Sequence, residues 1–169
     1  PLTLAAAKKA DRLAWMAYEK GGRNVYIAAG PTFKPVKLTS FNKDDAIDLT
    51  NVNISDDGKT VVFIRGHGAN RDGWVASPDH NPEGGQRDIW AVRMNAQGAW
   101  SAPWKLAFGA NPILSPDGNR VVYLKDGQIY SLRVANPVPN DSMQRGEKPF
   151  IKVWGRQSNP RWSPEGSKL

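Results

Sequence analysis

The chain has 169 residues, 40% of them hydrophobic, with 16 Gly and 13 Pro, proportions that suit a turn-rich all-β protein of one domain spanning 1–169. It has no Cys, which excludes disulfides and thiolate zinc sites, and no apolar run nears the roughly 18 residues of a membrane span. The formal net charge is +7, but Lys and Arg are dispersed and form no basic run with stacking aromatics, so nucleic acid is not expected as a partner.

The first segment, Leu4 to Tyr18, contains Ala5-Ala6-Ala7-Lys8-Lys9 and scores as a helix on propensity alone. A strand over 13–18 fits better, because Gly21-Gly22-Arg23-Asn24 reads as a turn and Asn24-Val25-Tyr26-Ile27 as the strand after it. Residues 1–10 are expected to be irregular. Pro35-Val36-Lys37-Leu38-Thr39 is a further short strand.

The second segment opens on Asn51-Val52-Asn53-Ile54-Ser55-Asp56-Asp57-Gly58-Lys59-Thr60-Val61-Val62-Phe63. Its physical content is strand, tight turn, strand. Ser and Asp side chains bond their own neighbouring backbone, Gly accepts the left-handed conformation that closes the turn, and a β-branched and aromatic run follows. Strands are predicted at 52–54, 60–65, 88–92 and 104–107. The third segment repeats the pattern as Asn111-Pro112-Ile113-Leu114-Ser115-Pro116-Asp117-Gly118, then Val121-Val122-Tyr123, Gln128-Ile129-Tyr130-Ser131-Leu132 and Pro149-Phe150-Ile151-Lys152-Val153. A further copy begins Asn159-Pro160-Arg161-Trp162-Ser163-Pro164-Glu165-Gly166, and a weaker one overlies Ala6 to Trp15 without the turn residues.

Four strands per unit is the blade of a β-propeller. From Ser55 to Ser115 is 60 residues and from Ser115 to Ser163 is 48, against the roughly 40–50 of propeller blades. The predicted fold is all-β, a partial propeller of four-stranded antiparallel blades at about 4–39, 51–107 and 111–153, with the start of a fourth at 158–169. Trp15, Phe63 and Tyr123 hold equivalent positions, as do Tyr26, Trp90 and Tyr130, which argues for packing between blades.

The longer unit carries an insertion between Ile64 and Arg87. Long ordered loops on rigid scaffolds often carry binding residues. Trp74 reads as an aromatic contact, and Arg71, Asp72 and Glu83 as contacts to a peptide or to a neighbouring domain. His67, Asp72, Asp79 and His80 are metal-ligand types, but their spacing matches no fixed motif, so no metal is expected. Gly66-His67-Gly68 is too short for a phosphate loop, and no cofactor is expected. Asn51, Asn53 and Asn111 occupy the inner strands where a sugar-processing or lactonase-like propeller would need clustered acids.

The order Ala14-Trp15-Met16, Gly22-Arg23-Asn24-Val25-Tyr26-Ile27-Ala28, Lys37-Leu38-Thr39, Asp44-Asp45, Ser55 to Gly66, Asn70, Asn81-Pro82 and Ile89-Trp90-Ala91-Val92 resembles the amino-terminal propeller of bacterial prolyl oligopeptidase family serine peptidases, of the dipeptidyl-peptidase or acylaminoacyl-peptidase type. The resemblance covers nearly the whole chain. It implies a propeller that caps a separate α/β-hydrolase domain and limits entry to short or unfolded peptides. No catalytic residue is expected in this chain, since no serine lies in Gly-x-Ser-x-Gly. Family members that cleave dipeptides hold the substrate amine with a pair of glutamates; here Glu83 stands alone. Ser-Pro-Asp-Gly turns also resemble those of TolB-like propellers, whose role would be protein interaction without catalysis. A periplasmic or secreted setting is favoured over a cytoplasmic one.

Overall fold

The computed structural model describes residues 2–78, 80–82, 84–136 and 148–169. Three four-stranded antiparallel sheets follow one another along the chain, each a simple meander. The first holds β1 (Leu2–Ala6), β2 (Arg12–Glu19), β3 (Gly22–Ala29) and β4 (Val36–Lys37). The second holds β5 (Leu49–Ile54), β6 (Thr60–Gly66), β7 (Arg87–Arg93) and β8 (Trp104–Phe108). The third holds β9 (Ala110–Leu114), β10 (Arg120–Lys125), β11 (Gln128–Arg133) and β12 (Pro149–Ile151). All four strands predicted for the second unit are present. The helix alternative fails at β2, where Leu13 to Tyr18 pair residue by residue with Ala28 to Arg23.

Two expectations are corrected. Residues 2–6 form a strand and are not irregular: Ala5 and Ala6 pair with Ala14 and Leu13. The hairpin forms without Ser-Pro-Asp-Gly because its closing bond, Ala7 N to Arg12 carbonyl at 3.0 Å, uses backbone only. The last copy, in contrast, makes its turn and no strand. Ser163 N donates to the Lys168 carbonyl (3.0 Å) and Gly166 N to the Ser163 carbonyl (2.8 Å), yet 158–169 join no ladder. In the other copies the second strand starts five residues after the serine, so only Lys168 and Leu169 lie in that register.

The repeated turn behaves as its chemistry requires. Ser55 Oγ donates to Asp57 Oδ1 (2.6 Å) and accepts from Thr60 N (3.0 Å); Ser115 Oγ donates to Asp117 Oδ1 (2.5 Å) and accepts from Arg120 N (3.0 Å). The turns also join neighbouring sheets: Lys9 N donates to the Asp56 carbonyl, and Asp56 N to the Pro116 carbonyl. Arg12, at the start of β2, and Arg93, at the end of β7, donate to the Gly58 and Gly118 carbonyls of the neighbouring turns.

Burial pushes the Asp117 carboxyl up, but bonds from Ser115 and Asn119 and the charge of Arg93 outweigh it, leaving the group below the usual carboxylate range. A carboxyl depressed on folding adds stability that is present above its unfolded pKa and is lost as pH falls through the folded value. Urea denaturation at descending pH is therefore expected to show a loss of stability below the ordinary carboxylate range, and Asp117→Asn to flatten that slope. An unchanged slope would remove Asp117 from the account.

The alternating side chains of β6 explain the core. Val61 and Phe63 join Ala14, Met16, Val25 and Ile27 between the first and second sheets, whereas Val62 and Ile64 join Val121, Tyr123 and Leu132 between the second and third. Covered on both faces, β6 reads as a continuous apolar run rather than an alternating one. The matched aromatics sit directly opposite each other in all three sheets, as Trp15↔Tyr26, Phe63↔Trp90 and Tyr123↔Tyr130. The first and third pairs stack, with ring centroids 5.9 and 5.6 Å apart. In the second, Phe41 from the inter-sheet connection meets both rings edge-on. Buried Asn24 holds that connection in place, accepting from Phe41 N (2.8 Å) and Thr39 Oγ1 (2.9 Å) and donating to the Phe41 carbonyl (3.1 Å).

Candidate functional site

Because β5 leads into the Ser-Asp-Gly turn and β6 leads away from it, the β6–β7 insertion lies at the opposite end of the sheets, beside the β10–β11 turn and the start of β9. A narrow neck holds the insertion there. His67 N donates to the Gln86 carbonyl (3.0 Å), and Arg65 Nη1 donates to Gln86 Oε1 (2.8 Å). Beyond the neck, Asn70 builds a tight turn: its Oδ1 accepts from Asp72 N (3.0 Å) and Trp74 N (2.8 Å), and its own N donates to the Trp74 carbonyl (2.7 Å). This Asx geometry is why Asn at position 70 shapes the loop.

The turn sets Arg71 and Asp72 on the wall of a cleft between the insertion and the third sheet. Arg87 from the start of β7, Lys125 from the end of β10, Asp126 from the β10–β11 turn, and Arg156 line the same cleft. Four cations thus face two carboxylates. Among the described residues no carboxylate lies within ion-pair distance of Arg71, Arg87 or Arg156. Lys125 Nζ sits 5.7 Å from the Tyr130 ring centroid. Burial alone pushes the Arg87 guanidinium down from its ordinary value, and no neighbouring charge offsets it.

A second polar cluster at this end ties the insertion to the connection between the first two sheets. Arg65 pairs with Asp45, and its guanidinium lies 4.6 Å from the Phe41 ring centroid. His67 Nδ1 faces Asp48 Oδ2 (3.2 Å) and Nε2 faces the Ala46 carbonyl (3.0 Å), so both ring nitrogens are engaged. Among the described residues no group of three His, Asp or Glu stands close enough to hold a metal.

The first strands of the sheets supply the third feature. β5 lies against β1 on one side and β9 on the other, so these strands converge. Each bulges at one matching residue with a left-handed backbone: Thr3 (φ 50°), Asn51 (φ 52°) and Asn111 (φ 48°), with Asn159 (φ 50°) in the last copy. Asn is among the few residues with a side chain that adopt this conformation readily. The three asparagines line a common hollow, and Asn111 also borders the cleft.

Of the residues singled out from sequence, Arg71 and Asp72 share the cleft. Trp74 is not among the residues that line it and is 64% exposed. Glu83 and Asp79 lie outside the described residues. Sequence reading missed Arg87, Lys125 and Arg156, and it placed Asn51 and Asn111 on the inner strands without giving them a role. For the asparagines a signal existed, since each stands four residues before the repeat serine.

The chain is similar to TolB from Acinetobacter baumannii, with a TM-score of 0.52 and 16% identity over 96% of this chain and 35% of TolB. The fold is a partial β-propeller. At that identity the likeness fixes fold alone, and the chain spans about a third of TolB's length. It is also similar to a prolyl endopeptidase (TM-score 0.47, 17% identity, 76% of this chain and 19% of that one) and to Kuenenia stuttgartiensis hydrazine synthase (TM-score 0.46, 14% identity, 85% and 44%). No family model matches the chain.

Proposed function

We propose that this chain is a non-catalytic propeller that caps and gates the active site of a serine peptidase acting on short peptides, with an α/β-hydrolase domain of the same polypeptide as its partner. The observation that carries the reading is the cleft at the insertion end, built jointly by the overhanging loop and the neighbouring blade and continuous through Asn111 with the inner strands. An extended peptide offers main-chain donors and acceptors at every residue, and asparagine carboxamides can match both without selecting sequence. The loop is anchored at its neck, so the wall it presents is preorganised. Chemistry is assigned to the partner domain, because the chain has no Gly-x-Ser-x-Gly and His67 is engaged on both nitrogens.

In the full-length protein, Arg71→Ala, Trp74→Ala and Glu83→Ala are expected to lower kcat/KM on short peptides several-fold; for Arg71 and Trp74, which are exposed, stability should change by no more than about 0.5 kcal/mol, as is usual for exposed loop positions. Parallel loss of stability and activity would make the loop scaffold. Unchanged kcat/KM across several peptides would remove the gating reading.

One observation favours a second reading, a TolB-like interaction propeller without enzymatic activity. Phe150, Ile151, Val153 and Trp154 are all exposed on and after the outer strand β12, where they offer an apolar edge to another protein. Absence of any peptidase activity in the full-length protein would select it.

A further inference from the structure

We infer that the cleft between the insertion and the third blade binds the free C-terminal carboxylate of a peptide, an assignment that rests on the peptide-gating reading and narrows it to a ligand class. Four features of the cleft point the same way. Its cations come from separate segments: Arg71 from the insertion, Arg87 from β7, Lys125 from the end of β10 and Arg156 from after β12. Segments so far apart in sequence converge only because the sheet register and the Gln157 N to Gly127 carbonyl bond (2.8 Å) bring them together. Arg156 is laid across the β10–β11 turn, where its Cγ would stand 3.0 Å from a Cβ at Gly127.

Arg87 is the second feature. It is half-buried, and no described carboxylate pairs with it. A desolvated guanidinium without a counter-charge is costly, and an incoming anion removes that cost. The third feature is geometric. Guanidinium groups present a planar fork that matches a carboxylate with two parallel hydrogen bonds, and three arginines line one cleft. The fourth is the apolar edge. Phe108, 45% exposed, borders the cleft beside Asn111, placing an aromatic ring and a free carboxamide next to the cations. That set suits the last residue of a peptide, with its carboxylate, an apolar side chain and a main-chain amide. The two carboxylates present, Asp72 and Asp126, stand at the tips of turns.

The test is equilibrium binding to the full-length protein of acetyl-Ala-Ala-Phe as the free acid and as the C-terminal amide, by calorimetry at low salt. The acid is expected to bind roughly tenfold or more tightly than the amide, as a charge-assisted bidentate contact should give. Arg87→Gln should bring the ratio to near one without lowering Tm, since it removes a desolvated, unpaired charge, and Arg156→Gln should do the same if Arg87→Gln proves poorly folded. Equal binding of acid and amide to the unsubstituted protein overturns the carboxylate assignment and leaves the gating reading standing. An acid preference that survives both substitutions places the carboxylate elsewhere. Binding of neither peptide defeats both readings, and displacement of the acid by equimolar inorganic phosphate makes the cleft a general oxyanion site, not a peptide-terminus site.

Discussion

Gly66→Ala is expected to destabilise the protein by about 3 kcal/mol or more, an unusually large effect for one methyl group. Gly66 ends β6 at φ 131°, a backbone conformation that side chains rarely adopt, and a Cβ there would stand 1.8 Å from the Gln86 carbonyl oxygen and 2.6 Å from Arg87 N. Both obstacles are backbone, so no rotamer change relieves them. Relief requires opening the neck, which breaks the His67 to Gln86 bond and shifts the start of β7. Arg87 begins that strand, so the carboxylate binding proposed for the cleft should fall with stability. Gly68→Ala is the matched control: nothing lies within 4 Å of a Cβ there, and its φ is not positive. Losing a glycine at such a place is neutral or stabilises slightly, by up to about 1 kcal/mol. Chemical denaturation of the pair measures the contrast. A Gly66→Ala protein within 1 kcal/mol of the parent would mean that the neck is softer than its contacts indicate.

What the sequence made legible follows from where each signal is local. The Ser-Asp-Gly turn carries its own bonding partners within five residues, and the strand after it is a β-branched run, so both were readable wherever those residues survive. The aromatic pairs were readable by equivalence between repeats, although nothing in the sequence showed that Phe41 would enter between sheets one and two. β1 was missed because Ala7 to Asp11 kept only the backbone half of the turn, Ala7 N to Arg12 carbonyl, and lost the serine and glycine that announce it. Lys9 N instead reaches across to the Asp56 carbonyl of the next blade, a contact between sheets that no local pattern records.

The cleft was legible only in part for the same reason. Arg71 and Asp72 stand in a conspicuous insertion and drew attention there, while Arg87, Lys125 and Arg156 look like ordinary strand-end cations until the sheets are assembled. Trp74 drew the same attention by lying outside the repeat. The Asn70 turn instead leaves it exposed and off the cleft wall. The asparagine row required a different inference, that a residue recurring at one repeat position marks a backbone conformation rather than a packing contact.

Phe63→Ala is expected to cost about 3–5 kcal/mol, the range for removing a large buried aromatic, because the space it leaves cannot collapse. Phe63 is fully buried on the central strand β6 of the only sheet covered on both faces by described sheets. On its own sheet it stands opposite Trp90; above it lies Phe41, whose main chain is fixed to Asn24 and cannot follow the lost ring inward. Met16, Val25 and Leu49 bound the remaining side and belong to strands that are themselves paired. Trp15→Ala, at the equivalent but half-buried position of the first sheet, should cost less, since water already reaches that ring. Phe41→Ala opens the same space from above, so combining it with Phe63→Ala should cost less than the two losses added together, as for residues that share one cavity. Urea denaturation of the two single variants and the double variant gives the coupling directly. Strict additivity would place Phe41 outside the packing of this interface and would assign the anchoring of the inter-sheet connection to Asn24 and Thr39 alone.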